Sequence, residues 1–161
     1  MSRNDYPPVK VGLIGLGTVG GGVTRVLARN AGEISRRAGC EIIITQAAAR
    51  SLDTIIAKTA GMKLTGEALE VVDDPEVTII VELMGGYEPA RSLVLRALEN
   101  GKHMVTANKA LIARHGNEIF AAAHAAERMV GFEAAVAGGI PIIKAIREGL
   151  APSFIAPRLM Q

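Results

Sequence analysis

Cysteine is almost missing from this chain: Cys40 is the single one among 161 residues. Its scarcity excludes an intrachain disulfide and any cysteine-clustered metal centre, and it suits a reducing compartment. By default Cys40 is a small buried hydrophobe. Tryptophan is absent and aromatics amount to 3%, so there is no platform of rings for stacking bases. Charge of one sign is scarce too, since 18 Lys and Arg against 16 Asp and Glu leave a net charge of +2. That balance is too even for a phosphate-tracking face, and nucleic acid is not expected as a partner. No apolar run approaches the roughly 20 residues of a membrane helix. The polar start MSRNDYPP also lacks the apolar stretch of a secretory signal, so no membrane is expected and the setting reads as cytoplasmic. His103, His115 and His124 lack ligand spacing to one another, and no zinc site is expected.

What is present is the make-up of an ordinary folded domain: 49% hydrophobic and 21% charged residues, in a length suited to one compact unit with a small appendage. Val9 to Ile14 is a short β-branched run with a glycine-rich exit, which predicts a buried parallel strand. From Thr18 the period changes, and Val19, Val23, Val26 and Leu27 are spaced to bury one face of a helix. Cys40 to Ala49 reads as the next strand and Leu52 to Ala60 as a short helix, while Gly61 to Asp74 has no clear period. Val77 to Met84 does not alternate, so a strand buried on both faces is expected there. Pro89 to Asn100 has helical spacing with Gly101 placed to cap it, and HMVTA follows as a strand. Asn108 to Arg128 reads as an alanine-rich helix open to a break near Gly116. MVGF is a last strand, and Pro141 marks a helix start after a glycine loop.

Strands alternating with helices predict an α/β fold: a mainly parallel, doubly wound sheet with helices on both faces. Ligands of such sheets lie beyond the carboxyl ends of the strands, here Gly15, Arg50, Gly85 and Thr106. At the first of these ends, GLGTVG matches G-x-G-x-x-G between a strand and a helix. Gly15 permits the turn, Gly17 lets backbone approach a pyrophosphate and Gly20 permits close helix packing, the pattern of a Rossmann-type NAD(P) site. At the second end, an acidic residue would bond the ribose 2′-hydroxyl of NAD, whereas an arginine accommodates the 2′-phosphate of NADP. Arg50 followed by Ser51 favours NADP, and Asp53 keeps NAD open if the register slips.

Three further segments fall at the same edge: VELMGG (Val81 to Gly86), VTANKALIA (Val105 to Ala113) and EAAVAGGIPII (Glu133 to Ile143). In this order with GLGTVG, from Lys10 to Ala151, they resemble homoserine dehydrogenase. The resemblance implies NAD(P)-dependent interconversion of L-homoserine and L-aspartate 4-semialdehyde, a step toward threonine and methionine. It implies cofactor contacts from Leu16, Thr18 and Val19 beside the glycines, from Arg50 and Ser51 at the ribose phosphate, and from Gly85. Thr106, Ala107 and Lys109 would lie near the nicotinamide. Lys109 is the catalytic candidate, because an ammonium offers both charge and donors to an alcohol oxygen. The plainer reading makes it a solvated lysine in a first helical turn. Glu82, inside an apolar strand, reads as structural: a carboxylate there must find hydrogen bonds or stay protonated. The resemblance further implies a monovalent cation such as Na⁺ at the hinge, held by the Glu133 side chain and the carbonyls of Val136, Gly138 and Ile140. A loop of this composition is otherwise only a hinge.

The expected organisation is an NAD(P)-binding domain over residues 1–132 and the hinge and first helix of a catalytic domain over 133–151. Residues 152–161 are expected to be a divergent, poorly ordered tail: PSFIAPRLMQ resembles nothing in the family, and its two prolines disfavour helix. The family's substrate carboxylates, second lysine and dimerising region are not among these residues. The 161 residues alone are therefore expected to hold the cofactor without turnover, and the homodimer of the family is not assumed for them. Two other readings stand beside this one, a stand-alone NADP-binding module and another small Rossmann amino-acid dehydrogenase. The NK and GGIP segments argue against the latter.

Overall fold

The computed structural model describes residues 6–50 and 61–149. Six parallel strands form one sheet in the order β3-β2-β1-β4-β5-β6. The strands are β1 (Val9–Ile14), β2 (Ile42–Ala48), β3 (Lys63–Thr65), β4 (Ile79–Glu82), β5 (His103–Thr106) and β6 (Val130–Gly131). The helices are α1 (Thr18–Arg29), α2 (Ala31–Ala38), α3 (Ala68–Asp73), α4 (Ala90–Glu99), α5 (Lys109–Ala125) and α6 (Ile142–Gly149), with a 3-10 turn at Glu133–Ala135. The chain starts in the middle of the sheet, winds outward to β3, returns to β4 and winds outward the other way. The expected doubly wound architecture is present.

The main core lies under α3, α4 and α5, where Ile14, Ile80 and Met104 from three strands meet Val71, Leu93, Val94, Leu98, Leu111 and Ile119. Gly12 explains how α3 comes so near: a β-carbon at that position would lie 2.5 Å from a methyl of Val71. On the opposite face Leu13, Leu16 and Ala47 form a smaller cluster against Val23 of α1. At the strand entry edge the buried Lys102 ammonium donates to the carbonyls of Asp74 (2.5 Å) and Val77 (2.7 Å), which substitute for water.

Several expectations need correction. The valine and leucine stripe of α1 is only in part its buried face: Val23 packs against the smaller cluster and Leu27 is half-buried, but Val19 and Val26 are more than half exposed and the fully buried residues are Gly20, Gly21 and Thr24. The glycines let the helix backbone approach the sheet, since a β-carbon on Gly20 would meet the Gly15 carbonyl. A second helix, α2, follows α1 at Asn30; it buries none of its residues and ends at left-handed Gly39. The stretch without clear period holds β3 and α3. β4 alternates, with Ile80 and Glu82 buried and Ile79 and Val81 half-buried, rather than being covered equally on both sides. α5 runs unbroken through Gly116, which is buried beside Phe120 and Ile112. Cys40 is half-buried and precedes β2. Gly101 caps α4 as expected, with φ 73° and its N–H donated to Leu98. The helix assigned to Leu52 to Ala60 and the tail at 152–161 lie outside the described residues. No helix among the described residues is long and apolar enough to cross a membrane.

Candidate cofactor site

Ala48, Ile14, Glu82 and Thr106 stand in register across the four central strands. Their chains therefore leave the sheet at one level, and the segments that follow them share one edge. Leu83 donates its N–H to the Ile14 carbonyl (2.8 Å), Gly15 to Ala48 (2.9 Å) and Ala107 to Glu82 (3.2 Å), so hydrogen bonding continues past the strand ends. This geometry brings together the glycine turn, Arg50, Gly85 and the segment Thr106 to Lys109.

The turn is built as its glycines demand. Gly15 has φ 100°, and a β-carbon on it would lie 2.9 Å from the Leu83 carbonyl oxygen. One on Gly20 would lie 2.1 Å from the Gly15 carbonyl oxygen. Gly17 is the N-cap of α1, supplies no side-chain cap and meets nothing within 4 Å of its would-be β-carbon. The first N–H groups of a helix have no partner inside it, and no acidic residue in the first turn of α1 opposes their positive end. A backbone cradle open to solvent at Gly17, Thr18 and Val19 suits a pyrophosphate. Leu16, by contrast, turns its side chain into the small core cluster, so only its backbone faces the edge.

At the second strand end Arg50 is exposed just beyond β2. Ser51 and Asp53, named with it from the sequence, lie outside the described residues. At the third end Gly85 is open on its would-be β-carbon side and Gly86 has φ 80°.

The fourth end holds the densest polar network of the site. Glu82 is fully buried. It accepts the Met84 N–H at 2.6 Å through one oxygen and the Thr106 hydroxyl at 2.6 Å through the other. The Thr106 oxygen accepts the Asn108 N–H at 3.0 Å. Asn108 donates its side-chain amide to the Gly86 carbonyl (2.8 Å) and caps α5 by accepting the Leu111 N–H (3.1 Å). Burial pushes the Glu82 carboxyl above its usual range, and bonds from Thr106, Met84 and Asn108 partly oppose the shift. The Thr106 hydroxyl thus points inward, whereas Lys109 is exposed in the first turn of α5. Sequence reasoning did not single out Asn108, although an asparagine directly before a helical run is an N-cap signal.

The segment from Glu133 to Ile143, expected from the sequence to be a hinge, is more ordered by hydrogen bonds than a bare loop. Glu133 accepts the N–H groups of Ile143 (2.8 Å) and Lys144 (3.1 Å), so its carboxylate sits at the N-terminus of α6. The Ile140 carbonyl accepts the Ile142 N–H at 2.8 Å, and Gly138 has φ 62°. A second polar cluster, in which Tyr87, Arg114 and His115 surround the Arg91–Glu118 ion pair, lies on the outer surface of α4 and α5. Its arginine is already paired, with Glu88 as a second partner.

The family model described as homoserine dehydrogenase, NAD binding domain, matches residues 15–133. The chain is 59% identical over 148 residues to a homoserine dehydrogenase of Pseudomonas aeruginosa and 52% identical over 148 residues to one of Neisseria gonorrhoeae. Each alignment takes 92% of this chain and 34% of the relative. Among solved structures, a homoserine dehydrogenase from Thiobacillus denitrificans superposes with a TM-score of 0.86 at 64% identity, over 89% of this chain and 33% of that one. One from S. aureus gives 0.76 at 34% identity, over 82% and 34%. The chain thus spans about a third of the length of the curated relatives it matches.

Proposed function

This chain belongs to the homoserine dehydrogenase family, as its NAD-binding domain, and from that premise we propose that it holds NADP(H) for the interconversion of L-homoserine and L-aspartate 4-semialdehyde. The observation that supports the reading is the level row of strand ends, after which the glycine turn, Arg50 and Lys109 follow at one edge of the sheet. What supports a cradle here is Gly17, whose would-be β-carbon meets nothing in the chain, in a turn that Gly15 and Gly20 allow to close tightly.

In this reading the N-terminus of α1 binds the pyrophosphate through Thr18, Val19 and Gly20 N–H groups and the backbone of Leu16. Arg50 pairs with the ribose 2′-phosphate, which makes NADP the preferred form over NAD. Gly85 leaves room beside the turn. Thr106 and Ala107 line the nicotinamide side, and Lys109 offers its ammonium as a charged hydrogen-bond donor to the alcohol oxygen. When bound, the nicotinamide supplies the hydride chemistry. The homoserine-binding groups belong outside the residues assigned here, so the 161 residues bind cofactor without turning the substrate over. Residues 1–132 act as the cofactor domain and 133–151 as the link to the catalytic part.

A monovalent cation such as Na⁺ belongs to the same reading. Glu133 with the carbonyls of Val136, Gly138 and Ile140 is an all-oxygen set suited to a hard ion. An ionised carboxylate has about four acceptor sites, so capping α6 through two of them does not exhaust Glu133. The ion would fix the hinge rather than take part in bond making.

The test is fluorescence titration of the purified chain with NADPH and NADH, alongside Arg50→Ala and a homoserine oxidation assay. NADPH is expected to bind more tightly than NADH, and the substitution to weaken NADPH about ten-fold or more while sparing NADH. Equal affinities untouched by Arg50→Ala would remove the 2′-phosphate role, and turnover by the chain alone would place the substrate groups within it.

A further inference from the structure

We propose that Glu82 is a positioning residue for the nicotinamide side of the site, locking the loops after β4 and β5 into one unit that presents Lys109. The inference rests on the cofactor-binding role proposed above and deepens it.

The position of this carboxylate is hard to explain by the fold alone. It closes an apolar strand, is fully buried and makes no ion pair among the described residues. Burying a carboxylate costs free energy unless its oxygens are bonded, and an aliphatic residue would fill the same space without that cost. What offsets the cost here is a set of donors drawn from two loops. The Met84 N–H comes from the loop after β4 and the Thr106 hydroxyl from the end of β5.

The bonds continue outward from there. Thr106 gives its hydrogen to Glu82 and receives the Asn108 N–H, so the hydroxyl is oriented from both sides. Asn108 in turn ties back to Gly86 and caps α5. The main chain runs parallel to this relay, with the Ala107 N–H on the Glu82 carbonyl. Lys109 follows Asn108 directly and is the first residue of α5. Its backbone is therefore set by a neighbour whose three bonds trace to Glu82, Gly86 and the helix start. Glu82 itself cannot reach the ligand edge while both of its oxygens face these donors. Its role is to hold the residues that do.

Doubly wound sheets divide a dinucleotide between their halves: β1 to β3 take the adenosine side, β4 to β6 the nicotinamide side. The inference therefore predicts a one-sided defect, which a general loss of stability would not produce. The experiment compares Glu82→Gln with the unaltered chain in binding two probes, NADPH and 2′-phospho-ADP-ribose, the same dinucleotide without its nicotinamide ring. A glutamine amide can accept from only one of Met84 and Thr106 and turns an N–H toward the other, so at least one bond of the relay is lost or reversed at nearly constant volume.

NADPH affinity is expected to fall about ten-fold, the scale of one lost charge-assisted bond, while 2′-phospho-ADP-ribose binds as before. Thr106→Val, which removes only the hydroxyl, should show the same one-sided loss, and it carries the test if Glu82→Gln does not fold. Combining the two should weaken NADPH no further. Equal losses for both probes, or none for either, would overturn the assignment. So would an unaltered chain that binds NADPH no better than 2′-phospho-ADP-ribose. An unaltered chain that binds neither probe would instead overturn the cofactor reading beneath it.

Discussion

A β-carbon on Gly20 would lie 2.1 Å from the carbonyl oxygen of Gly15, so the first and third glycines of the phosphate turn are packed backbone against backbone. The middle glycine has no such neighbour: nothing in the chain approaches within 4 Å of the corresponding point on Gly17. Three glycines of one motif therefore stand in two different settings, two closed against backbone and one open where the proposed pyrophosphate would lie.

Substitution should separate those settings. Gly20→Ala forces α1 away from the strand and is expected to destabilise the chain by about 3 kcal/mol, the upper end for overpacking, because the obstacle is backbone. Gly17→Ala is expected to lower stability in urea by only about 1 kcal/mol, the scale of a poorer N-cap, since nothing lies within 4 Å of its would-be β-carbon. The same variant should lose about ten-fold or more in NADPH affinity, because its methyl occupies space that a pyrophosphate needs. Unfolding curves and fluorescence titrations on both variants check this, and a stable Gly17→Ala chain with full affinity would contradict the placement of the pyrophosphate.

Asn108 caps α5 and ties the loop after β5 to the loop after β4. Asn108→Ala removes the bonds to Leu111 and Gly86 and is expected to cost about 2 kcal/mol of stability. Asn108→Asp keeps the cap but loses the donor to the Gly86 carbonyl and places a second carboxylate beside Glu82. It should therefore fail to restore stability, even though aspartate is as good an N-cap as asparagine. Denaturant melts of the two variants decide whether the cap alone matters.

The pH dependence of stability follows from Glu82. Burial raises its carboxyl above the ordinary range, so over the interval between the two values the native chain keeps a proton that the unfolded chain has released. The contribution is whole below the unfolded value and is lost as pH climbs through the folded one. Glu82→Gln does not titrate. Its Tm relative to the unaltered chain should therefore rise across that interval, in thermal melts from about pH 4 to about pH 8. A constant Tm difference over the series would show that Glu82 titrates as it does in water.

Much of the fold was legible because it rests on local pattern. The apolar run into Gly15 and the alternation of strands and helices point to a parallel sheet, and left-handed Gly101 ends α4 where its place in the sequence suggested. The α1 stripe misled for an equally physical reason. Helical periodicity marks the more apolar side, yet the sheet took only its Val23 edge and centred on the side that allows closest approach, Gly20, Gly21 and Thr24. Lys102 was illegible in the same way, since only the fold places the carbonyls of Asp74 and Val77 around its ammonium.

By itself the sequence determined the class of the fold, the glycine turn and the order of the four motifs, because backbone freedom and apolar runs are encoded within a few neighbouring residues. It also carried the family likeness. What only the tertiary structure decided is how distant segments meet. Strand register sets Ile14, Glu82 and Thr106 side by side, and that row turns an odd carboxylate in an apolar strand into the anchor of two loops. Positions separated by 24 residues, as Glu82 and Thr106 are, become hydrogen-bond partners through the pairing of β4 and β5, a long-range relation that no local pattern encodes.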